Sequence, residues 1–224
     1  MTKKIIAIIP ARGGSKGIPR KNVKDLAGKP MIAYIIESAL KVKGLDRVIV
    51  STEDMEIATV AKKYGAEVPF IRPAELAEDH IATLPVLQHA IEYLKKEENY
   101  QPDYVLLIYP TSPLLKSQRI QEAIDLALEK DSDSVISGYL DRKHYWQEVE
   151  GGWVRFYPIK LNDRQHTEPL FKENGAIYLT KTEILKKQIV ADKADIIVMD
   201  PEENIDVDTI NDLDKVRNIL GSSK

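Results

Sequence analysis

Ile5-Ile6-Ala7-Ile8-Ile9-Pro10 leads directly into Ala11-Arg12-Gly13-Gly14-Ser15-Lys16-Gly17-Ile18-Pro19-Arg20-Lys21-Asn22. The first run is short, unbroken and mostly β-branched, the pattern of a strand covered on both faces in a parallel sheet. The second holds too many glycines and prolines for regular structure. After Gly28-Lys29-Pro30, the apolar spacing of Met31 to Leu40 predicts a helix. The reading is strand, long loop, helix.

The same rhythm continues outward. Val48-Ile49-Val50-Ser51 is a second buried strand; Thr52-Glu53-Asp54, with Ile57, Val60 and Ala61 behind it, opens an amphipathic helix with an acidic first turn. A strand is expected at Val68 to Ile71, a helix over Leu84 to Leu94, a strong strand over Tyr104 to Ile108, and a helix over Ile120 to Leu128. Ala176 to Leu179 and Ile196 to Met199 read as late strands, and Thr209 to Leu220 as a closing helix. Such alternation predicts a Rossmann-like, mostly parallel α/β sheet with right-handed crossovers, whose ligands sit beyond the carboxyl ends of the strands. The segment Tyr139 to Asn174 breaks the rhythm, with Tyr145, Trp146, Trp153, Phe156 and Tyr157 among charges and turns. It is expected to be an inserted arm, its aromatics forming either a satellite core or a subunit interface.

The chain's 224 residues fit one domain, 43% hydrophobic and 30% charged, a balance that can bury enough apolar surface to fold. With 32 basic against 35 acidic side chains, no global field draws it to nucleic acid or to an anionic membrane, so an anionic ligand must be held locally. Cysteine is absent, which excludes disulfides and thiolate metal sites. The run Ile5 to Pro10 is too short for a signal-peptide core, no stretch is long and apolar enough to span a bilayer, and a cytoplasmic location is expected.

The glycine loop carries the chemistry. Its glycines let backbone N–H groups approach phosphate oxygens, and Arg12, Lys16, Arg20 and Lys21 supply the positive charge that a triphosphate needs on leaving water. A P-loop is excluded because Lys16 precedes Gly17 and Ile18 follows it. A dinucleotide fingerprint is disfavoured because Pro19 lies inside a long loop that opens no helix at once. Near the other end, Asp206 and Asp208 flank Val207. In an extended segment the two carboxylates share one face while Ile205 and Val207 point to the core, an arrangement of hard oxygen ligands suited to Mg²⁺. Asp208-Thr209 is equally placed to cap the last helix. Asp212 and Asp214 read as helix charges, and His80, His89, His144 and His166 have no metal-site spacing.

Ile9 to Asn22, with Leu26-Ala27-Gly28-Lys29-Pro30, resembles the signature of the acylneuraminate cytidylyltransferases, or CMP-sialic acid synthetases. Similarity recurs in order at Ser51 to Asp54, Arg72 to Leu76, Pro110 to Leu114, Asn174 to Tyr178 and Ile205 to Thr209. The resemblance implies transfer of CMP from CTP to the anomeric hydroxyl of a nonulosonic acid, with release of pyrophosphate. It implies that Arg12 and Lys21 hold the triphosphate, that Ala11, Gly13, Gly14, Ser15 and Asn22 form the same loop, and that Asp206 and Asp208 bind Mg²⁺. Arg72 would face cytosine, whose O2 and N3 accept hydrogen bonds, with Thr83 completing base recognition; a role for Arg72 in merely capping the loop before Pro73 stays open. Tyr109, Arg164, Asn174 and Tyr178 would meet the sugar, Arg164 at its carboxylate. Two positions depart from the family pattern, Tyr109 where Gln is usual and Gln147 where a sugar-site Lys is usual, leaving the acceptor open among neuraminic, legionaminic, pseudaminic and related acids. The arm implies a homodimer. Alternatives are a Kdo cytidylyltransferase, whose loop typically lacks the Gly13 to Asn22 run, and a catalytically silent nucleotide-binding subunit.

Overall fold

The computed structural model describes residues 3–156 and 168–222. Its order is β1 (Ile5–Pro10), β2 (Asp25–Leu26), β3 (Lys29–Pro30), α1 (Met31–Leu40), β4 (Arg47–Ser51), α2 (Met55–Lys63), α3 (Thr83–Glu98), β5 (Tyr104–Leu107) and α4 (Ser117–Lys130). There follow β6 (Ser134–Asp141), β7 (Trp146–Val149), β8 (Gly152–Arg155), β9 (Leu170–Lys181), β10 (Asp195–Val198) and α5 (Ile210–Ser222). The central sheet runs β10-β6-β9-β5-β1-β4. β1 is parallel to β4 and β5, and β10 to β6, while β9 runs antiparallel between β5 and β6.

β1 shows why its sequence lacks polar alternation. Ile5, Ala7 and Ile9 pack with Ile32, Ile36, Ile57 and Ile124 on one side of the sheet, whereas Ile6 and Ile8 pack with Leu87, Ala90 and Leu94 of α3 on the other. Both faces are buried, as a central parallel strand requires. A third cluster joins Ile18 of the glycine loop to Leu26 and Met31, and these to Val207, Leu213 and Val216 near the other end of the chain. Ile18 and Val207 are fully buried, each such side chain contributing about 1.5–3 kcal/mol. This cluster brings the two chemical motifs together.

Three readings need correction. No strand forms over Val68 to Ile71; Glu67 alone bridges Ile49, because Pro69 has no N–H with which to extend the ladder. A strand absent from the sequence reading, β6, lies inside the sheet: its Ser134 and Ser137 disguise it, yet both are buried, Ser134 bonding Thr180 (3.0 Å) and Ser137 donating to Asn174 Oδ1 (2.6 Å). The expected arm grows from β6 and β9, which pair from Gly138↔Glu173 out to Asp141↔Leu170, and carries the separate hairpin β7–β8. Its aromatics form no satellite core among the described residues: Trp146, Trp153, Val154 and Phe156 are exposed. Tyr157 and Arg164 lie outside the described residues.

Candidate active site

A cleft of about 280 Å³ opens where β1, β4 and β5 end, lined by Arg12, Gly14, Ser15, Lys21 and Asn22 on one side and Arg72, Thr83 and Tyr109 on the other. A larger hollow of about 550 Å³ lies at the amino end of β5. Within it Lys3 pairs with Asp103 at 3.8 Å and Lys181 with Asp131 at 3.3 Å.

Long-range bonds hold the glycine loop in shape. Asn22, buried, donates from Nδ2 to the Arg12 carbonyl at 2.8 Å, and the Ala11 N–H donates to the Ser51 carbonyl at 3.0 Å. Gly13 donates its N–H to Glu53 Oε1 at 2.7 Å; a Cβ there would stand 2.5 Å from Asp54 Oδ2. A Cβ on Gly17 would meet the Asp208 carbonyl at 2.6 Å, so the loop and the acidic segment approach more closely than any other residue permits. Arg20, in the left-handed region at φ 55°, ion-pairs with Asp54 and Glu56. Ala11 and Gly13 therefore stand behind the wall of the cleft, while Gly14 and Ser15 line it.

Lys21 connects the two ends of the chain. Its Nζ donates to the Val207 carbonyl at 2.9 Å and to Asp208 Oδ1 at 3.1 Å. Val207 is pinned in turn, its N–H donating to the Thr111 carbonyl at 2.8 Å. Upstream, the buried Glu203 accepts from Arg119 Nε at 3.0 Å, and Asn204 accepts from Asn174 Nδ2 at 2.6 Å. Asp206 keeps exposed surface, but protein atoms crowd its carboxyl. That desolvation pushes its pKa up; the Asp208 charge adds to the effect, and a hydrogen bond from Thr111 and the Lys21 charge oppose it. Two carboxylates whose proximity is mutually unfavourable fit a divalent cation. Among the described residues no third acidic or histidine ligand completes a cage; Mg²⁺ commonly takes its remaining ligands from water and phosphate.

On the far wall, Arg72 is buried and donates from Nη2 to Glu53 Oε2 at 2.7 Å. Tyr109 donates its hydroxyl to Thr83 Oγ1 at 2.9 Å, and burial pushes its pKa up. Tyr178 donates to Glu173 Oε2 at 3.1 Å; burial, then the Glu173 charge, pushes its pKa well up. The Asn174 amide is occupied at both ends, its oxygen accepting from Ser137 and from the Ala176 N–H (3.1 Å), its nitrogen donating to Asn204 and Met199 Sδ. It thus anchors β9 to β6 and to the acidic segment. Three participants escaped the sequence reading: Glu53, Thr111 and Asp79. Asp79 accepts from Arg12 Nη1 at 2.5 Å and pairs with Lys16 at 2.6 Å, latching the loop before α3 onto the cation loop. Glu53 and Thr111 had a signal, a position just past a strand's carboxyl end; Asp79 had none.

A nucleotide-sized cleft walled by cations, at the carboxyl edge of a mostly parallel sheet and beside an acidic pair, defines a nucleotidyltransferase-type α/β protein. Comparison with known proteins narrows the class. A family model described as cytidylyltransferase matches residues 6–215. Pseudaminic acid cytidylyltransferase of Campylobacter jejuni is 34% identical over 218 residues, covering 94% of each chain. CMP-N,N'-diacetyllegionaminic acid synthase of Legionella pneumophila is 34% identical over 221 residues, 92% of this chain and 91% of that protein. N-acylneuraminate cytidylyltransferase A of Danio rerio is 35% identical over 214 residues, 92% of this chain and 48% of that one. The chain belongs to the cytidylyltransferase family and is a CTP-dependent nucleotidyltransferase of acylneuraminate type. A solved CMP:2-keto-3-deoxy-manno-octonic acid synthetase complexed with CTP has the same fold, with a TM-score of 0.72 at 18% identity, covering 99% of this chain and all of that one.

Proposed function

We propose that the enzyme transfers CMP from CTP to the anomeric hydroxyl of a nonulosonic acid and releases pyrophosphate. The observation that carries this reading is Lys21, whose ammonium joins the phosphate-facing loop to Asp208 at 3.1 Å across 187 positions of sequence. The acceptor hydroxyl gives up its proton to solvent and its oxygen bonds to the α-phosphorus of CTP as the bond from that phosphorus to the pyrophosphate oxygen breaks. Arg12 and Lys21 neutralise the leaving pyrophosphate, and the Gly14-Ser15 backbone approaches its oxygens. Arg72 presents its guanidinium to the acceptor edge of cytosine, with Thr83 and Tyr109 closing the same wall. Asp206 and Asp208 would hold Mg²⁺, which when bound supplies positive charge at the α-phosphate and acidifies a coordinated hydroxyl. Tyr109 and Tyr178, whose phenols are close enough to feel the Asp206 charge, border the place for the sugar. Arg164 is proposed for its carboxylate and Asn174 for shaping that wall.

A pyrophosphate-release assay with CTP, Mg²⁺ and a panel of neuraminic, legionaminic, pseudaminic and Kdo acceptors tests the reading. Release with one of the nonulosonic acids is expected. Release with Kdo alone would shift the acceptor class, and CTP binding with no release on any acceptor would make the chain a silent subunit. The exposed Trp146, Trp153, Val154 and Phe156 favour a homodimer through the arm; mass measurement of the wild type and of Trp153→Arg checks this, a dimer and a monomer being expected. The proposed compartment is the cytoplasm, the source of CTP.

A further inference from the structure

The turn Ser51-Thr52-Glu53-Asp54, at the end of β4, has no part in the chemistry described above, yet it touches both the glycine loop and the Arg72 segment. The Ser51 carbonyl accepts from the Ala11 N–H at 3.0 Å, and the Thr52 carbonyl accepts from the Arg72 N–H at 2.8 Å. Asp54 pairs with Arg20 and caps α2, accepting from the N–H groups of Glu56 (2.9 Å) and Ile57 (3.0 Å). Glu53 is different in kind, because its two oxygens serve two separate parts of the cleft. Oε1 accepts from the Gly13 N–H and Oε2 from Arg72 Nη2, each at 2.7 Å.

We infer that Glu53 is a positioning residue for nucleotide selection, a single carboxylate that aims Arg72 and at the same time sets the glycine loop. The inference rests on the proposed reading of Arg72 as the base-facing residue. The Arg72 side chain is only 3% exposed, and among the described residues Glu53 is the acid that forms an ion pair with it. A guanidinium removed from water needs such a partner, and the partner fixes its direction. Arg72 is not exhausted by that bond: its buried Nε has no protein partner among the described residues, and its side chain lines the cleft. Because Glu53 Oε1 also holds the Gly13 amide, any rotation that re-aims Arg72 pulls on the loop that meets the phosphates. Glutamine in this place has one acceptor oxygen and an amide that donates, so it satisfies Gly13 or Arg72 but not both. Aspartate keeps the charge but is one methylene too short to span the two donors.

The experiment measures kcat and KM for CTP and for UTP with a productive acceptor, calorimetric binding of tripolyphosphate, and thermal stability. The proteins are wild type, Glu53→Gln, Arg72→Ala and the double variant. Glu53→Gln is expected to raise KM for CTP about tenfold, to lower the CTP-to-UTP preference by a similar factor, and to weaken tripolyphosphate binding. In the Arg72→Ala background it should leave the CTP-to-UTP ratio unchanged while still weakening tripolyphosphate. An unchanged ratio in Glu53→Gln, or losses of preference that simply add in the double variant, overturn the inference. Should Glu53→Gln fail to fold, Glu53→Asp takes its place: reduced preference and weaker tripolyphosphate binding support the bridge, and wild-type values for both overturn it. If Arg72→Ala itself keeps the wild-type preference, the base-facing reading fails; if it loses preference and Glu53→Gln does not, only the role of Glu53 fails.

Discussion

On the proposed nucleotide side of the cleft, Arg12, Arg20, Lys21 and Arg72 each meet a carboxylate: Asp79, Asp54, Asp208 and Glu53 respectively. On the proposed acceptor side, Tyr109 and Asn174 are held by uncharged partners, Thr83, Ser137 and Asn204, and Tyr178 leans on the exposed Glu173. The difference teaches where selectivity is rigid. Charge-assisted bonds are shorter and stronger than neutral ones and aim the cations before a nucleotide arrives. A wall of neutral hydrogen bonds and exposed surface can change its lining without unbalancing buried charge, so related enzymes can share CTP while differing in the sugar.

Substitutions on each side break or sharpen that contrast. The largest effect is expected at the junction: Asp208→Ala should lower kcat by roughly 10²–10³ with little change in thermal stability, because the Asp208 side chain is 70% exposed. Near-normal turnover across a Mg²⁺ titration would remove Asp208 from the reaction. Arg12→Ala should cost about 10- to 100-fold in kcat/KM, equally for CTP and UTP; a loss confined to CTP would mean that Arg12 reads the base. Tyr109→Phe deletes one neutral hydrogen bond and should raise a KM about 3- to 10-fold. The rise is expected for the sugar, and a rise for CTP alone would move Tyr109, through its bond to Thr83, to the base-facing wall. The smallest effect belongs to Asp79→Asn, which releases the latch on Arg12 and Lys16 and should lower KM for CTP about two- to fivefold at low salt. Hydrogen bonds from Lys16 and then Arg12, with their charges behind them, hold the Asp79 carboxyl below the usual carboxylate range. The latch is therefore fully formed above that range and is lost only as pH falls through the lowered pKa, so wild-type KM should show no latch-related change at neutral pH. A KM unaltered by the substitution would mean that nucleotide entry does not displace Asp79.

Much of this was legible in the sequence because it rests on local pattern. Apolar runs at Ile5 to Ile9, Val48 to Val50 and Tyr104 to Ile108 mark strands buried on both faces, and helical spacing marks α1 and α2. β6 was hidden because its buried serines acquire partners only when β9 lies beside it, and Val68 to Ile71 misled because apolar residues there reach the core without a ladder. Within the site, Arg12, Lys21, Asp206 and Asp208 stood out as residue types in telling positions. Asp79 did not, since an acid in a polar loop carries no sign of the cations it will meet.

By itself, then, the sequence determined the outer run of strands and helices around β1, β4 and β5, the charge of the glycine loop and the alternation of Asp206 and Asp208 about the buried Val207, because each depends on neighbours a few residues away. Only the tertiary structure decided which acid answers which cation. Those pairings span up to 187 positions, the longest of them, Lys21 with Asp208, because the burial of Ile18 with Val207 brings the two ends of the chain onto one cleft.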